Sequence, residues 1–182
     1  MERLEAHKIV ILALGNLIRS DDGVGVSALR ELEKDPRLPD WVVLVEGGTK
    51  GLELLPYICA AKRLLVLDTV DVCAQPGTVF RIAGDDLRTL RGAGSVHEFA
   101  LADMLNALRM MGREPTDIVF LGVQPLTTEL GTVLSAPVQQ ALPTLVAAAL
   151  SELYRWTTPR ECSIPRAHEE LEEGVPISTP EA

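Results

Sequence analysis

This 182-residue chain lacks the features that define several large classes of protein. Its three cysteines lie far apart and form neither a CxxC pair nor a zinc-ligand spacing: Cys59, Cys73 and Cys162. The first two lie among apolar residues, which predicts buried, reduced thiols. No apolar run reaches the roughly 18 residues of a membrane span. The charged start of the chain, MERLEAHK, has no signal-peptide apolar segment, so we expect a cytoplasmic protein without a membrane span.

Basic residues are also scarce. The formal net charge is −9, with 17 Lys and Arg against 26 Asp and Glu. A protein that binds nucleic acid normally has a basic face, and the sequence shows none. The glycine patterns that hold nucleotide phosphates, G-x-G-x-x-G and the P-loop, are absent. No serine or cysteine stands in a recognisable nucleophile elbow or Cys–His setting.

The sequence does contain a regular alternation of apolar runs and helical patterns. Nearly continuous apolar runs predict buried strands at residues 8–14, 41–45, 64–67 and 118–123. Apolar residues at helical spacing follow these runs. The alternation predicts an α/β fold of three layers, in which a largely parallel twisted sheet is flanked by helices on both faces. A short alternating run at residues 78–82 predicts an antiparallel or edge strand.

The chain divides into one domain and a tail. A single α/β domain is predicted over residues 1–154, ending in a long apolar helix from residue 137. Residues 155–182 lose the apolar periodicity and contain four prolines, with six acidic residues against three arginines. This composition predicts an acidic, mobile C-terminal tail.

The loop that follows the first predicted strand, residues 15–25 (GNLIRSDDGVG), is the most informative stretch of the chain. It lies at the carboxyl edge of the predicted sheet, where open α/β folds place their sites. Its glycines allow a ligand to approach the main chain closely. Asp22 in this loop has two interpretations, a ligand-binding carboxylate or the N-cap of the next helix. A second acidic pair, Asp85 and Asp86, is predicted to be only a cap.

Two more polar residues are predicted to lie at the same edge. Asp68 ends the third buried strand, and His97 stands in the first turn of a helix that opens with the capping box SVHE. A helix N-terminus disfavours a charged imidazolium, so His97 is predicted to be neutral. Two carboxylates and a neutral imidazole suit a divalent transition metal, nickel and zinc included. The alternatives are that Asp68 caps the next segment and that His97 is solvated.

Four motifs, in this order, resemble the hydrogenase maturation endopeptidases, which process the large subunit of nickel–iron hydrogenases. They are GNLIRSDDGVG (15–25), EGGTKGLELL (46–55), LLVLDTVD (64–71) and SVHEFALADML (95–105). GVQP (122–125) also resembles the corresponding part of the family. The similarity runs from Lys8 to about Tyr154 and looks closest to members that serve uptake-type hydrogenases.

The resemblance implies an endopeptidase that removes the C-terminal extension of the large-subunit precursor after nickel insertion. The family's metal-binding and catalytic residues fall on Asp22, Asp68 and His97. Some members carry Glu where Asp22 stands. Gly47, Gly48 and Thr49 would belong to the substrate-binding surface. The implied metal is nickel carried by the precursor, with no organic cofactor, and the family is often grouped with aspartic-type proteases.

Two other functions remain open at this point. One is a metal-dependent hydrolase of a small amide or phosphoester on a similar sheet. The other is a non-enzymatic nickel-binding chaperone of the same precursor.

Overall fold

The computed structural model describes residues 9–84 and 96–158, and for residues 96–100 it describes the main chain alone. Five strands and four α-helices lie within these ranges, and the 3-10 helices Ser20–Gly23 and Leu52–Leu54 directly precede α1 and α2. In chain order the elements are β1 (Ile9–Leu14), α1 (Val24–Lys34), β2 (Val43–Gly48), α2 (Leu55–Ile58), β3 (Arg63–Thr69), β4 (Val79–Ala83), α3 (Val96–Met110), β5 (Asp117–Val123) and α4 (Ala136–Thr157).

The strands form one mixed sheet in the order β2-β1-β3-β5-β4. β1 pairs in parallel with both β2 and β3, and β3 pairs in parallel with β5. β4 is antiparallel to β5 and lies at the edge, as the alternating sequence of residues 78–82 predicts. The four parallel strands therefore end at one carboxyl edge, where the loops after β1, β2, β3 and β5 meet.

Hydrophobic cores cover both faces of the sheet, which confirms the predicted three layers. All six residues of β1 are buried, because this central strand is covered on both sides. One face packs against α1 and α4 through residues such as Leu32 and Leu145. The other face packs against α2 and α3, where Ile58, Met104 and Leu108 are fully buried.

A glycine allows α1 to approach the sheet closely. A side chain at Gly25 would overlap the carbonyl oxygen of Leu67 and lie 2.6 Å from that of Leu14. The start of α1 therefore rests directly on the ends of β1 and β3, and it holds the preceding loop against the carboxyl edge.

Some predicted boundaries are wrong. β2 begins at Val43 rather than at Trp41, extends through the two glycines of the EGGT motif, and is only partly buried. Trp41 is exposed, because β2 is the edge strand of the sheet and the chain before it runs along the surface. Cys73 is an exposed free thiol rather than a buried one, and Cys59 is partly buried.

The C-terminal helix is longer than predicted. α4 continues to Thr157, so Arg155, Trp156 and Thr157 belong to the helix rather than to the predicted tail. Residues 159–182 lie outside the described residues, and so do the predicted cap at Asp85 and Asp86 and the predicted N-cap Ser95. Within the described ranges, no helix is both long and apolar enough to cross a membrane.

A buried carboxylate ties α4 to the edge strand β4. Glu152, which is 4 % exposed, accepts hydrogen bonds from Arg81 Nε (2.6 Å) and Nη2 (3.0 Å) and from Arg155 Nη1 (3.1 Å). Burial alone raises the pKa of Glu152, but the hydrogen bonds and charges of the two arginines outweigh it and hold that pKa below its ordinary value. The charged form of Glu152 therefore stabilises the fold.

We expect Glu152→Gln to lower the free energy of unfolding by roughly 1–2 kcal/mol at neutral pH, because it removes a charged acceptor of two arginines. The stabilisation by Glu152 is complete above the unfolded-state pKa of 4.5 and is lost as the pH falls through the lower folded-state value. Urea denaturation should thus show the difference between wild type and variant shrinking as the pH falls below 4.5. The exposed Glu53→Gln is the control, and a pH-independent difference would contradict the assignment.

Candidate active site

The loop after β1 turns sharply back on itself. Gly15 has φ 115°, and a side chain there would overlap the carbonyl oxygen of Asp22. Glycine is the residue that tolerates both conditions. The main-chain N–H of Gly15 donates to the carbonyl of Gly48 at 3.0 Å, and that of Asn16 donates to the carbonyl of Asp22 at 3.1 Å. The loops after β1 and β2 are thereby joined, and Asp22 is brought back to the end of β1.

Asp22 and Asp68 are both buried at this edge, with 6 % and 2 % of their surfaces exposed. Asp68 is the penultimate residue of β3, and its Oδ1 accepts the N–H of Thr69 at 2.8 Å. The Thr69 hydroxyl donates to Oδ1 of Asp22 at 3.2 Å. Asp68 Oδ1 also lies 3.5 Å from the point where a side chain of Gly15 would start. Neighbouring strands β1 and β3 thus place the main chain of Asp22 and the carboxylate of Asp68 around the same glycine.

Asp22 is not a side-chain cap of α1. The N-cap position of α1 is Gly23, and no side chain caps the helix there. Asp22 instead lies within the 3-10 helix Ser20–Gly23, and its Oδ1 accepts the hydroxyl of Thr69 from β3. The cap interpretation is wrong because Asp22 belongs to this extra turn and Gly23 occupies the N-cap position.

His97 is the second residue of α3, and its side chain lies outside the described residues. The main chain of α3 contacts the 3-10 helix Leu52–Leu54, which follows the carboxyl end of β2. The C-terminal end of α3 leads to the start of β5 at the opposite edge, so α3 begins on the carboxyl side of the sheet. Among the described side chains, no three His, Cys, Asp or Glu residues form a metal-binding cluster. Whether His97 completes the set with Asp22 and Asp68 stays a prediction.

The glycines of the EGGT motif have separate positions. Gly47 is buried, and a side chain there would lie 2.8 Å from Leu12 Cδ1. Gly48 has φ 58°, and its carbonyl accepts the N–H of Gly15. Thr49 is exposed directly after β2. The motif therefore presents two side chains to solvent, Thr49 and Glu46, of which Glu46 is paired with Arg30.

Asp21 has a function that the sequence did not reveal. It is completely buried, and its Oδ2 accepts the N–H groups of Leu126 (2.9 Å) and Thr127 (3.1 Å). Ser135 donates its N–H to Oδ1 at 2.6 Å and its hydroxyl to Oδ2 at 2.8 Å. This carboxylate fastens the loop after β5 to the loop that carries Asp22. The sequence shows an acidic pair, but the donors lie more than 100 residues away.

Gln124 shapes the loop after β3 in a similar way. Its buried Oε1 accepts the N–H groups of Val72 (3.0 Å) and Ala74 (3.1 Å), and its Nε2 donates to Asp71 Oδ1 at 3.0 Å. The hydrogen bond from Gln124, followed by that from the N–H of Cys73, lowers the pKa of Asp71. The GVQP motif therefore supports the rim of the site rather than reacting itself.

A cavity of about 660 Å³ lies elsewhere, between β4, β5 and the end of α4. Its lining includes Arg81, Asp117, Glu152 and Arg155. Asp117 begins β5 and Ala83 ends the antiparallel β4, so this cavity lies at the edge opposite to Asp22 and Asp68. The cavity is not proposed as the reaction site, because its charged side chains already form ion pairs: Arg81 and Arg155 pair with Glu152, and Asp117 pairs with Arg63.

Comparison with known proteins identifies the class. The family model described as hydrogenase maturation protease matches residues 26–152. The chain is 34% identical over 154 residues to the hydrogenase expression/formation protein HupD of Rhizobium leguminosarum bv. viciae, which covers 83% of this chain and 76% of HupD. It is 34% identical over 160 residues to the hydrogenase 2 maturation protease of Escherichia coli K12, which covers 85% and 97% of the two chains.

Solved structures agree with these matches. The hydrogenase maturating endopeptidase HybD from E. coli has a TM-score of 0.78 at 30% identity, over 81% of this chain and 93% of HybD. The [NiFe] hydrogenase maturation protease HybD from Thermococcus kodakarensis has a TM-score of 0.68 at 27% identity, over 80% and 98% of the two chains. Fold and relatives together define an α/β peptidase. The chain belongs to the hydrogenase maturation protease family, as its motifs predict.

The hydrogen bond between Thr69 and Asp22 gives a test of the site. We expect Thr69→Val to keep the shape of the side chain but to release Asp22 Oδ1, which costs about 1–2 kcal/mol, or roughly 5–30-fold in kcat, through loss of orientation. Thr69→Ser keeps the hydroxyl and should restore most of the rate. The measurement is precursor processing with the thermal midpoint recorded for each variant. If Val and Ser variants process equally fast, the hydroxyl does not position Asp22.

Proposed function

We propose that this chain is a cytoplasmic endopeptidase that removes the C-terminal extension of a nickel–iron hydrogenase large-subunit precursor after nickel insertion. Membership of the hydrogenase maturation protease family supports the reaction type. The observation that carries the proposal for this chain is the pair of buried carboxylates at the carboxyl edge, Asp22 in the loop after β1 and Asp68 at the end of β3.

The carboxylates can carry out hydrolysis without a protein nucleophile. In the proposed reaction, water adds to the carbonyl carbon of the scissile peptide bond, and a carboxylate accepts the proton of that water. The proton then passes to the leaving amine as the carbon–nitrogen bond breaks. An enzyme that uses Asp22 and Asp68 in this way would be an aspartic-type endopeptidase. Burial of both groups excludes bulk water and strengthens their electrostatic effect.

The donor set also fits a metal ion that the substrate brings. Carboxylate oxygens are borderline to hard ligands, and two of them with the imidazole of His97 would supplement the ligands of nickel already seated in the precursor. Shared nickel would position the scissile bond against the carboxylates, and positioning alone supplies a large part of many rate enhancements. The main chain of Gly47 and Gly48 and the exposed Thr49 would line the path of the extension.

The experiment compares nickel-loaded and nickel-free precursor, with free metal removed by a chelator. We expect the full-length protein to shorten only the loaded precursor by its C-terminal extension, as read by intact mass. This result follows if nickel in the substrate, rather than nickel on the enzyme, aligns the bond.

The other outcomes are distinct. Equal cleavage of both precursors would falsify nickel sensing while leaving the peptidase function intact. Stoichiometric binding without cleavage would replace the proposal with a chaperone function. Cleavage of small amides but not of the precursor would identify a small-molecule hydrolase.

A further inference from the structure

Four large apolar side chains are exposed on the two loops that Asp21 joins. Leu130 is 82 % exposed and Val133 74 %, while Ile18 and Leu126 are each 58 % exposed. We name these four residues the docking patch. Ile18 belongs to the loop after β1, and the other three belong to the loop between β5 and α4.

The main chains of the two loops are bonded directly. The N–H of Gly131 donates to the carbonyl of Ile18 at 3.0 Å, and the N–H of Ser20 donates to the carbonyl of Gly131 at 2.8 Å. Arg19 Nε donates to the carbonyl of Thr128 at 3.0 Å. These bonds bring the main chain of Ile18 next to that of Gly131 and Leu130 and so join two distant parts of the sequence.

Asp21 holds this surface in place. Its carboxylate takes four hydrogen bonds from the main chain or side chains of Leu126, Thr127 and Ser135. The loop is therefore fixed at both of its ends, on either side of Leu130 and Val133. Apolar side chains held outward on an ordered loop are typical of a surface that binds a protein. Because the loops are already ordered, binding would incur little additional ordering entropy.

The patch lies at the same edge of the sheet as the candidate active site. Ile18 follows β1, and Leu126, Leu130 and Val133 follow β5, so both loops leave the carboxyl ends of parallel strands, where Asp22 and Asp68 also lie. A protein whose peptide bond is cleaved at the two carboxylates has to approach this edge.

We propose that the docking patch binds an apolar area on the folded body of the protein substrate, next to the segment that is cleaved. This inference rests on the proposed function and adds the surface by which the substrate is recognised. The occupant is the folded protein substrate, which contributes apolar side chains, because the substrate has to approach this edge of the sheet to bring its bond to Asp22 and Asp68.

The test uses Leu130→Ser with Val133→Ser in one chain, and Ile18→Ser as a second variant on the other loop. All three side chains are more than half exposed, so the fold should be retained. The matched control is Met110→Ser, which removes an 89 % exposed apolar side chain at the end of α3. Binding of nickel-loaded precursor is measured by calorimetry, with every protein also carrying Asp68→Asn so that the precursor is not cleaved. Processing is measured by intact mass with proteins that retain Asp68.

We expect the double variant to weaken precursor binding and raise KM by about tenfold or more, with kcat within about twofold of wild type. Ile18→Ser should raise KM to a smaller extent, and Met110→Ser should leave both constants unchanged. If the double variant binds precursor as tightly as the wild-type protein and has the same KM, the inference is wrong. The proposed function is tested separately, by whether the wild-type protein processes the precursor at all. A change of oligomeric state in light scattering, without a change in precursor binding, would instead assign the patch to self-association.

Discussion

The candidate site depends on the hydrogen bonds that the buried carboxylate of Asp21 accepts from the loop after β5. An ionised group in the interior is costly unless hydrogen-bond donors replace the water that it loses. Three main-chain N–H groups and one hydroxyl do so here, at 2.6–3.1 Å. Because such charge-assisted bonds are short and directional, they fix the loop after β1 to the loop after β5. The adjacent Asp22 therefore has a defined position without being a helix cap.

The sheet provides the second constraint. β1 lies between β2 and β3, so the loop after β1 is in contact with the ends of both neighbours. Gly15 bonds to Gly48 on one side, and Asp22 bonds to Thr69 on the other. Two carboxylates at the ends of adjacent parallel strands are thus buried at one edge. Membership of the maturation protease family indicates peptide-bond hydrolysis, and this geometry is the reason that we propose Asp22 and Asp68 as the residues that carry it out.

The sequence predicted the interior of the fold well and its edges less well. β1, β3 and β5 were found because strands covered on both faces are almost continuously apolar. β2 was placed two residues early, because an edge strand needs no such run and Trp41 before it is exposed. The exposure of Cys73 was missed because its apolar neighbours in sequence do not surround it in space.

In the candidate site, too, features that depend on neighbouring residues in the sequence are predicted, and contacts between distant residues are not. Asp22 and Asp68 lie on one rim because the strand ends of a parallel sheet coincide. The 3-10 turn at Ser20–Gly23 was not foreseen, and neither was the role of Asp21, because its partners Leu126, Thr127 and Ser135 depend on the path of a loop. No local pattern encodes such long-range pairing. The role of His97 in the site is predicted from its sequence motif, and the effect of replacing His97 on processing tests that prediction.

The most direct measurement of the central claim is the processing rate of nickel-loaded precursor by Asp22→Asn, Asp68→Asn and His97→Ala, compared with the exposed control Asp40→Asn. Each Asn keeps the size of the side chain but removes its charge and basicity. We predict that the three site variants fold normally by circular dichroism and lose about 100-fold or more in rate, the scale of a general acid–base contribution. Asp40→Asn should process at the wild-type rate. Near-wild-type processing by either Asp22→Asn or Asp68→Asn would contradict a catalytic site built on these two carboxylates.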